Sequence, residues 1–77
     1  MSIKVLFFAS LSEQVGKRQA EVAWQPDLTV AQVWQLSTQR DLPSTTLLAA
    51  CNQSYCDLQT VVNEGDEIAF FPPVTGG

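Results

Sequence analysis

The sequence predicts an α+β domain in which one helix packs across one face of a small mixed sheet. Three observations carry this reading. β-Branched and aromatic segments open and close the chain, at Ile3–Ala9 and Glu67–Phe71. One well-signalled amphipathic helix begins near Thr29. The element order is strand, strand, helix and then strands, which suits a single helix over a single sheet. Because the helix lies in their connection, the first and last strands are expected to pair in parallel at the centre.

In the first strand a period of two puts Ile3, Val5 and Phe7 on one face and Lys4, Leu6 and Phe8 on the other. Lysine is rarely fully buried, so the Lys4 face should point outward and take Leu6 and Phe8 with it. Leu11 to Gly16 reads as a short helical turn closed by glycine. A second strand over Ala20–Trp24 stops before Pro26. Thr29 and Gln32 have the spacing of a capping box, with Leu28 and Val33 placed as a hydrophobic staple. Val30, Val33, Trp34 and Ser37 form the buried stripe, and Pro43 stops anything continuing past Arg40. Leu47–Asn52 is a third strand, apolar enough to be central. Residues 53–62 hold a turn and a short edge strand. Asn63-Glu64-Gly65-Asp66 is a turn before the last strand, whose Glu67 directs Ala69 and Phe71 outward. This is the β-grasp arrangement. Its open face would display Leu6, Phe8 and an exposed Phe71, which together read as a partner-binding patch.

Residues 1–71 make one small domain, and 72–77 a flexible tail. The 77 residues are 45% hydrophobic and only 16% charged, a globular composition that leaves apolar surface for a partner. The net charge of −4 includes only Lys4, Lys17, Arg18 and Arg40 as cations. Four scattered cations cannot neutralise a run of phosphates, so nucleic acid is excluded as a partner, and an anionic membrane would repel the chain. No leader and no apolar run of roughly 18 residues is present, so a cytoplasmic location is expected. Cys51 and Cys56, with no histidine, cannot complete a four-ligand zinc site, and their spacing is not that of a redox pair. Both read as structural thiols.

The chemistry gathers at the end of the chain. Pro72 and Pro73 forbid helix and further pairing, and Val74, Thr75, Gly76 and Gly77 form a thin, uncharged tip. Such a tail can enter a narrow tunnel and present its carboxylate to chemistry in another protein. Catalysis by this chain alone is not expected. It lacks histidine as a base near neutral pH, its serines have no evident activating partner, and there is no glycine-rich phosphate loop. A carboxylate reacts with nucleophiles only after activation, and adenylation by ATP supplies the leaving group.

The segments Ile3-Lys4-Val5-Leu6-Phe7-Phe8-Ala9, Leu47-Leu48-Ala49-Ala50-Cys51-Asn52-Gln53 and Gly65-Asp66-Glu67-Ile68-Ala69-Phe70-Phe71-Pro72-Pro73-Val74-Thr75-Gly76-Gly77 resemble the small subunits of molybdopterin synthase. The closing Phe-Phe-Pro-Pro-Val-Thr-Gly-Gly run is the most specific part of that resemblance. It implies a ubiquitin-like β-grasp fold and a thiocarboxylate on Gly77. An E1-like adenylating enzyme, using ATP and magnesium, activates the glycine, and a sulfur-mobilising donor protein converts it. The tail then enters the large synthase subunit, within a heterotetramer, and gives sulfur to cyclic pyranopterin monophosphate. The chain itself binds no cofactor or metal. Partner contacts carry over to Phe8, Tyr55, Phe71, Pro72, Pro73, Val74 and Thr75, and the reacting end to Gly76 and Gly77. The link from Asp41 to Thr46 is shorter than in many relatives, and Tyr55 and Cys56 stand where aliphatic residues are more usual. The alternatives are a sulfur carrier for thiamine or for transfer-RNA thiolation, a ubiquitin-like modifier of lysines, and an interaction module with an inert tail.

Overall fold

The computed structural model describes residues 2–43 and 47–72; Met1, Ser44–Thr46 and Pro73–Gly77 lie outside the described residues. Seven elements follow in order: β1 (Ser2–Phe7), α1 (Ser10–Val15), β2 (Gln19–Ala23), α2 (Val30–Thr38), β3 (Leu48–Cys51), β4 (Ser54–Cys56) and β5 (Glu67–Phe71). The five strands form one sheet in the order β2-β1-β5-β3-β4. β1 and β5 run parallel, and every other pairing is antiparallel. This is the mixed β-grasp sheet expected from the element order. β3 is interior, as its apolar composition requires, but β5 holds the central place.

Alternation decides what enters the core. Ile3, Val5 and Phe7 of β1 and Ile68 and Phe70 of β5 are buried, together with Leu28, Val30, Val33 and Trp34. Phe7, Phe70 and Trp34 form an aromatic cluster: Trp34 meets both phenylalanines edge-on, at 5.2 Å from Phe70 and 6.0 Å from Phe7. Phe7 and Phe70 lie nearly parallel at 6.1 Å. The cluster anchors the downstream ends of the two central strands to the helix. Trp34 also donates its indole N–H to the Asp41 carbonyl at 3.0 Å, so the largest core side chain buries no orphan donor.

The capping box of α2 is present in both directions. Thr29 Oγ1 accepts from the Gln32 N–H at 3.2 Å, and Gln32 Oε1 accepts from the Thr29 N–H at 2.9 Å. Ser37, buried on the helix stripe, satisfies its hydroxyl on the Trp34 carbonyl at 3.2 Å. The helix ends before proline can end it. Gln39 takes the left-handed conformation (φ 58°) and its N–H bonds back to Gln35, terminating α2 at Thr38 well short of Pro43. Gly16 and Gly65, at φ 87° and 85°, close α1 and the turn before β5 as their left-handed freedom allows.

Candidate protein-binding face

The sheet face away from α2 is divided along the strand direction. At its upstream end Lys4 is paired across the sheet with Glu21 on one side and Glu67 on the other, a charged row. The next outward row is Leu6, Ala69, Ala50 and Tyr55, read across β1, β5, β3 and β4. Beyond it Phe71 lies opposite Leu48, and Phe8 donates its backbone N–H to the Phe70 carbonyl at 3.0 Å. The apolar half of the face therefore lies at the downstream end of β5, where the chain continues into Pro72.

Phe8 is 50% exposed and Tyr55 79% exposed. Phe71, expected to be exposed, is half-buried. The Tyr55 ring packs on it at 5.6 Å with a 59° tilt and takes part of its surface from water. The structure thus brings Tyr55 and Phe71 into contact and holds Phe8 on the other flank of β5. Pro72 is half-buried directly after the strand. The sites assigned to Pro73, Val74, Thr75, Gly76 and Gly77 lie outside the described residues.

Two local devices, neither legible as a motif, set this face. Just after Phe8, Ala9 adopts φ 52° and ψ −135°, a conformation costly for a residue with a Cβ. The Ser12 hydroxyl and N–H both bond to the Ala9 carbonyl, at 2.8 and 3.1 Å, and hold the sharp exit from β1. At the other side, Asn52 and Gln53 make a two-residue hairpin with φ 52° and 71°. Those positive values at both central positions suit the right-handed twist of the strands. Asn52 Nδ2 donates to Asp66 Oδ1 at 2.9 Å, and Asn52 Oδ1 accepts from the Glu67 N–H at 3.0 Å. Asp66 Oδ2 accepts the Asn63 N–H at 2.7 Å. The β3–β4 hairpin is thereby latched to the start of β5, fixing β4 and Tyr55 relative to Phe71.

Asp66, placed by the sequence in the turn before the last strand, is the hub of this latch. Partial burial pushes its carboxyl up, but the bonds from Asn63, Asn52 and the Cys51 thiol outweigh that and hold it below the usual carboxylate range. The Cys51 thiol is pushed up to about 11, by burial first and then by its bond to Asp66 and the charge there. Cys56 is also raised, by burial and by Asp57. Both thiols stay protonated near neutral pH, and both pack against the core. Among the described residues no group of three or more histidine, cysteine, aspartate or glutamate side chains is placed to hold a metal ion, and no helix is long and apolar enough to cross a membrane.

Comparison with known proteins assigns the chain to a lineage. A model of the ThiS family matches residues 5–77. The molybdopterin synthase sulfur carrier subunit of Escherichia coli is 44% identical over 80 residues, which cover 97% of this chain and 99% of that one. SAMP1 from Haloferax volcanii superposes with a TM-score of 0.77 at 27% identity, covering all of both chains. A chain from the complex of subunits 1 and 2 of the Helicobacter pylori molybdopterin-converting factor shares the fold, with a TM-score of 0.66 at 21% identity and full coverage of both chains. The chain belongs to the ThiS family, with molybdopterin synthase sulfur carrier subunits among its relatives.

Proposed function

We propose that this chain is the sulfur-carrying small subunit of molybdopterin synthase, acting in the cytoplasm. The observation that carries the reading is the 44% identity to the Escherichia coli carrier subunit across nearly the whole of both chains. An apolar face at the end of the strand that leads into the Pro72–Gly77 run supports it.

In this reading the domain is a handle and the terminus is the reagent. A partner enzyme that holds ATP and magnesium adenylates the Gly77 carboxylate, releasing pyrophosphate. A persulfide on a donor protein then attacks the Gly77 carbonyl, forming an acyl disulfide as AMP leaves with the carboxylate oxygen. A second thiol attacks the donor's sulfur, so that a disulfide forms and the Gly77 thiocarboxylate is released. Glycine at 76 and 77 puts no side chain beside the reacting carbonyl. Pro72 and Pro73 lower the entropy lost when the approach segment is ordered in the large subunit. Phe8, Tyr55 and Phe71 supply the contact that docks the domain, with Val74 and Thr75 inside the tunnel. Transfer of sulfur to cyclic pyranopterin monophosphate, with water attacking the Gly77 carbonyl to supply the oxygen, returns Gly77 to a carboxylate, and a second carrier supplies the second sulfur of the dithiolene.

The test is the intact mass of the chain recovered after incubation with its adenylating enzyme and sulfur donor, followed by mixing with the large subunit and precursor. The expected result is a mass gain matching one oxygen replaced by sulfur, then formation of molybdopterin. Deleting Gly77 should abolish both while leaving the domain folded, because one residue displaces the terminus by up to about 3.5 Å. Molybdopterin formed by the chain lacking Gly77 refutes the carrier mechanism. The fold match to SAMP1 makes a protein-modifier role the second reading. That role predicts isopeptide adducts on lysines of other proteins. A thiolated carrier that gives its sulfur to thiamine precursors or transfer RNA, and none to the pterin, would move the assignment to another branch.

A further inference from the structure

The outer face does not end at Phe8. It continues into a groove lined by Leu6, Phe8, Ala9, Ser12, Arg18 and Gln19, between the end of β1, the start of α1 and the entry to β2. Leu6 and Phe8 belong to both surfaces, so a partner that covers the apolar half of the sheet also reaches Arg18. We propose that this groove receives a carboxylate side chain of the large subunit, held by the Arg18 guanidinium beside the apolar contact on Phe8. The proposal rests on the reading of the chain as the small subunit of the synthase, and it names a polar determinant of that interface.

Charge distribution argues for the occupant. The chain carries eight acids and four cations, and Lys17-Arg18 is the one place where two cations are adjacent in sequence. At the upstream end of the same sheet face Lys4 is already flanked across the strands by Glu21 and Glu67. Arg18 and Lys17 are both exposed, and the Arg18 backbone is fixed, its carbonyl accepting the Phe7 N–H at 2.9 Å. An anion approaching this face therefore gains at its Phe8 end and meets carboxylates at its Lys4 end, which sets orientation as well as attraction. The planar, permanently charged guanidinium matches a carboxylate in a two-bond fork. A polyanion is a poor fit, because the two cations are not continued by a track of others.

The proposal is tested by measuring association of the intact chain with its purified large subunit at about 0.1 M and about 1 M salt, where screening lengths are about 10 and 3 Å. Arg18→Glu should weaken binding about tenfold or more at the lower salt, mainly through slower association, and the deficit should shrink at the higher salt. Arg18→Gln should lose less and flatten the salt dependence, and Arg18→Lys should retain that dependence. Phe8→Ala should weaken binding similarly at both salts. Binding of Arg18→Glu within twofold of the unaltered chain at low salt overturns the proposal. So does an equal loss from Lys17→Glu, which would mean a diffuse field rather than a seat at Arg18. If the unaltered chain fails to bind the large subunit at either salt, the functional reading itself falls, an outcome distinct from the other two.

Discussion

Phe7 and Phe8 are neighbours in sequence with opposite fates, and replacing each by alanine separates folding from recognition. Phe7 is 3% exposed and packs against Trp34 and Phe70. Its truncation leaves a cavity in the aromatic cluster and should cost about 3–5 kcal/mol of stability. That is a large share of the total for a domain of this size. Phe8 is 50% exposed. A phenylalanine presents about 200 Å², so about 100 Å² is left for a partner to cover, worth about 2.5 kcal/mol at about 25 cal/mol per Å². In binding terms this is a loss of roughly 60-fold. The covered half of Phe8 contributes to the fold as well, but on an open face it should cost no more than about 2 kcal/mol. Urea unfolding followed by the fluorescence of Trp24 and Trp34, beside calorimetric titration with the large subunit, measures both quantities. If Phe8→Ala binds the large subunit within twofold of the unaltered chain, the assignment of this face to the interface is wrong.

Other expected outcomes follow from the local geometry. Gln53→Gly should raise stability by about 1 kcal/mol in urea denaturation, because Gln53 holds a positive φ at the hairpin position where glycine is favoured. Ala9→Gly should stabilise by a similar amount, since the relief of about 1–3 kcal/mol of strain exceeds the added flexibility of the unfolded chain; an unchanged midpoint would count against strain at Ala9. Asp66 is depressed in the folded state, so its stabilising bonds are fully present above its unfolded value and fade as pH falls through the folded one. Asp66→Asn should therefore flatten the loss of urea stability below about pH 4, the ordinary carboxylate range. Cys51, pushed up to about 11, should react with a thiol-labelling reagent far more slowly at neutral pH than a free cysteine, and fast labelling of the folded chain would contradict its burial and its bond to Asp66.

What could be read from the residues was whatever a single charge or cap determines locally. Lys4 and Glu67 orient their strands, because a charged side chain on one face sends its neighbours at one-residue spacing to the other. Thr29 and Gln32 mark the helix start by spacing alone. The parallel pairing of the terminal strands followed from the helix in their connection. Backbone features that lack their usual residue were not legible. Gln39 ends α2, Asn52 and Gln53 make the hairpin, and Ala9 turns the chain, all at positive φ without glycine. Gln39 and Ala9 are held by bonds closed within a few residues, from the Gln39 N–H to Gln35 and from Ser12 to Ala9, and Gln53 by the pairing of β3 with β4, none of which a residue type announces. Contacts between distant segments were hidden for the same reason. Tyr55 covers Phe71 only because β4 pairs with β3, and Asp66 bonds Asn52 only because β3 lies beside β5. The Arg18 groove likewise needs the exit of β1 to fold beside the entry of β2.

The central place of β5 has a mechanical consequence. Four register pairs to β1 on one side and four to β3 on the other grip this strand along most of its length. A pull on the chain beyond Phe71 acts along the strand axis, so it loads those rungs together in shear instead of opening them one after another. An edge strand such as β4, pulled sideways, would unzip rung by rung at far lower force. On the carrier reading proposed above, in which the end is drawn into one enzyme, released and drawn into another, the tail hangs from the strand that resists traction best and can be withdrawn intact for the next round.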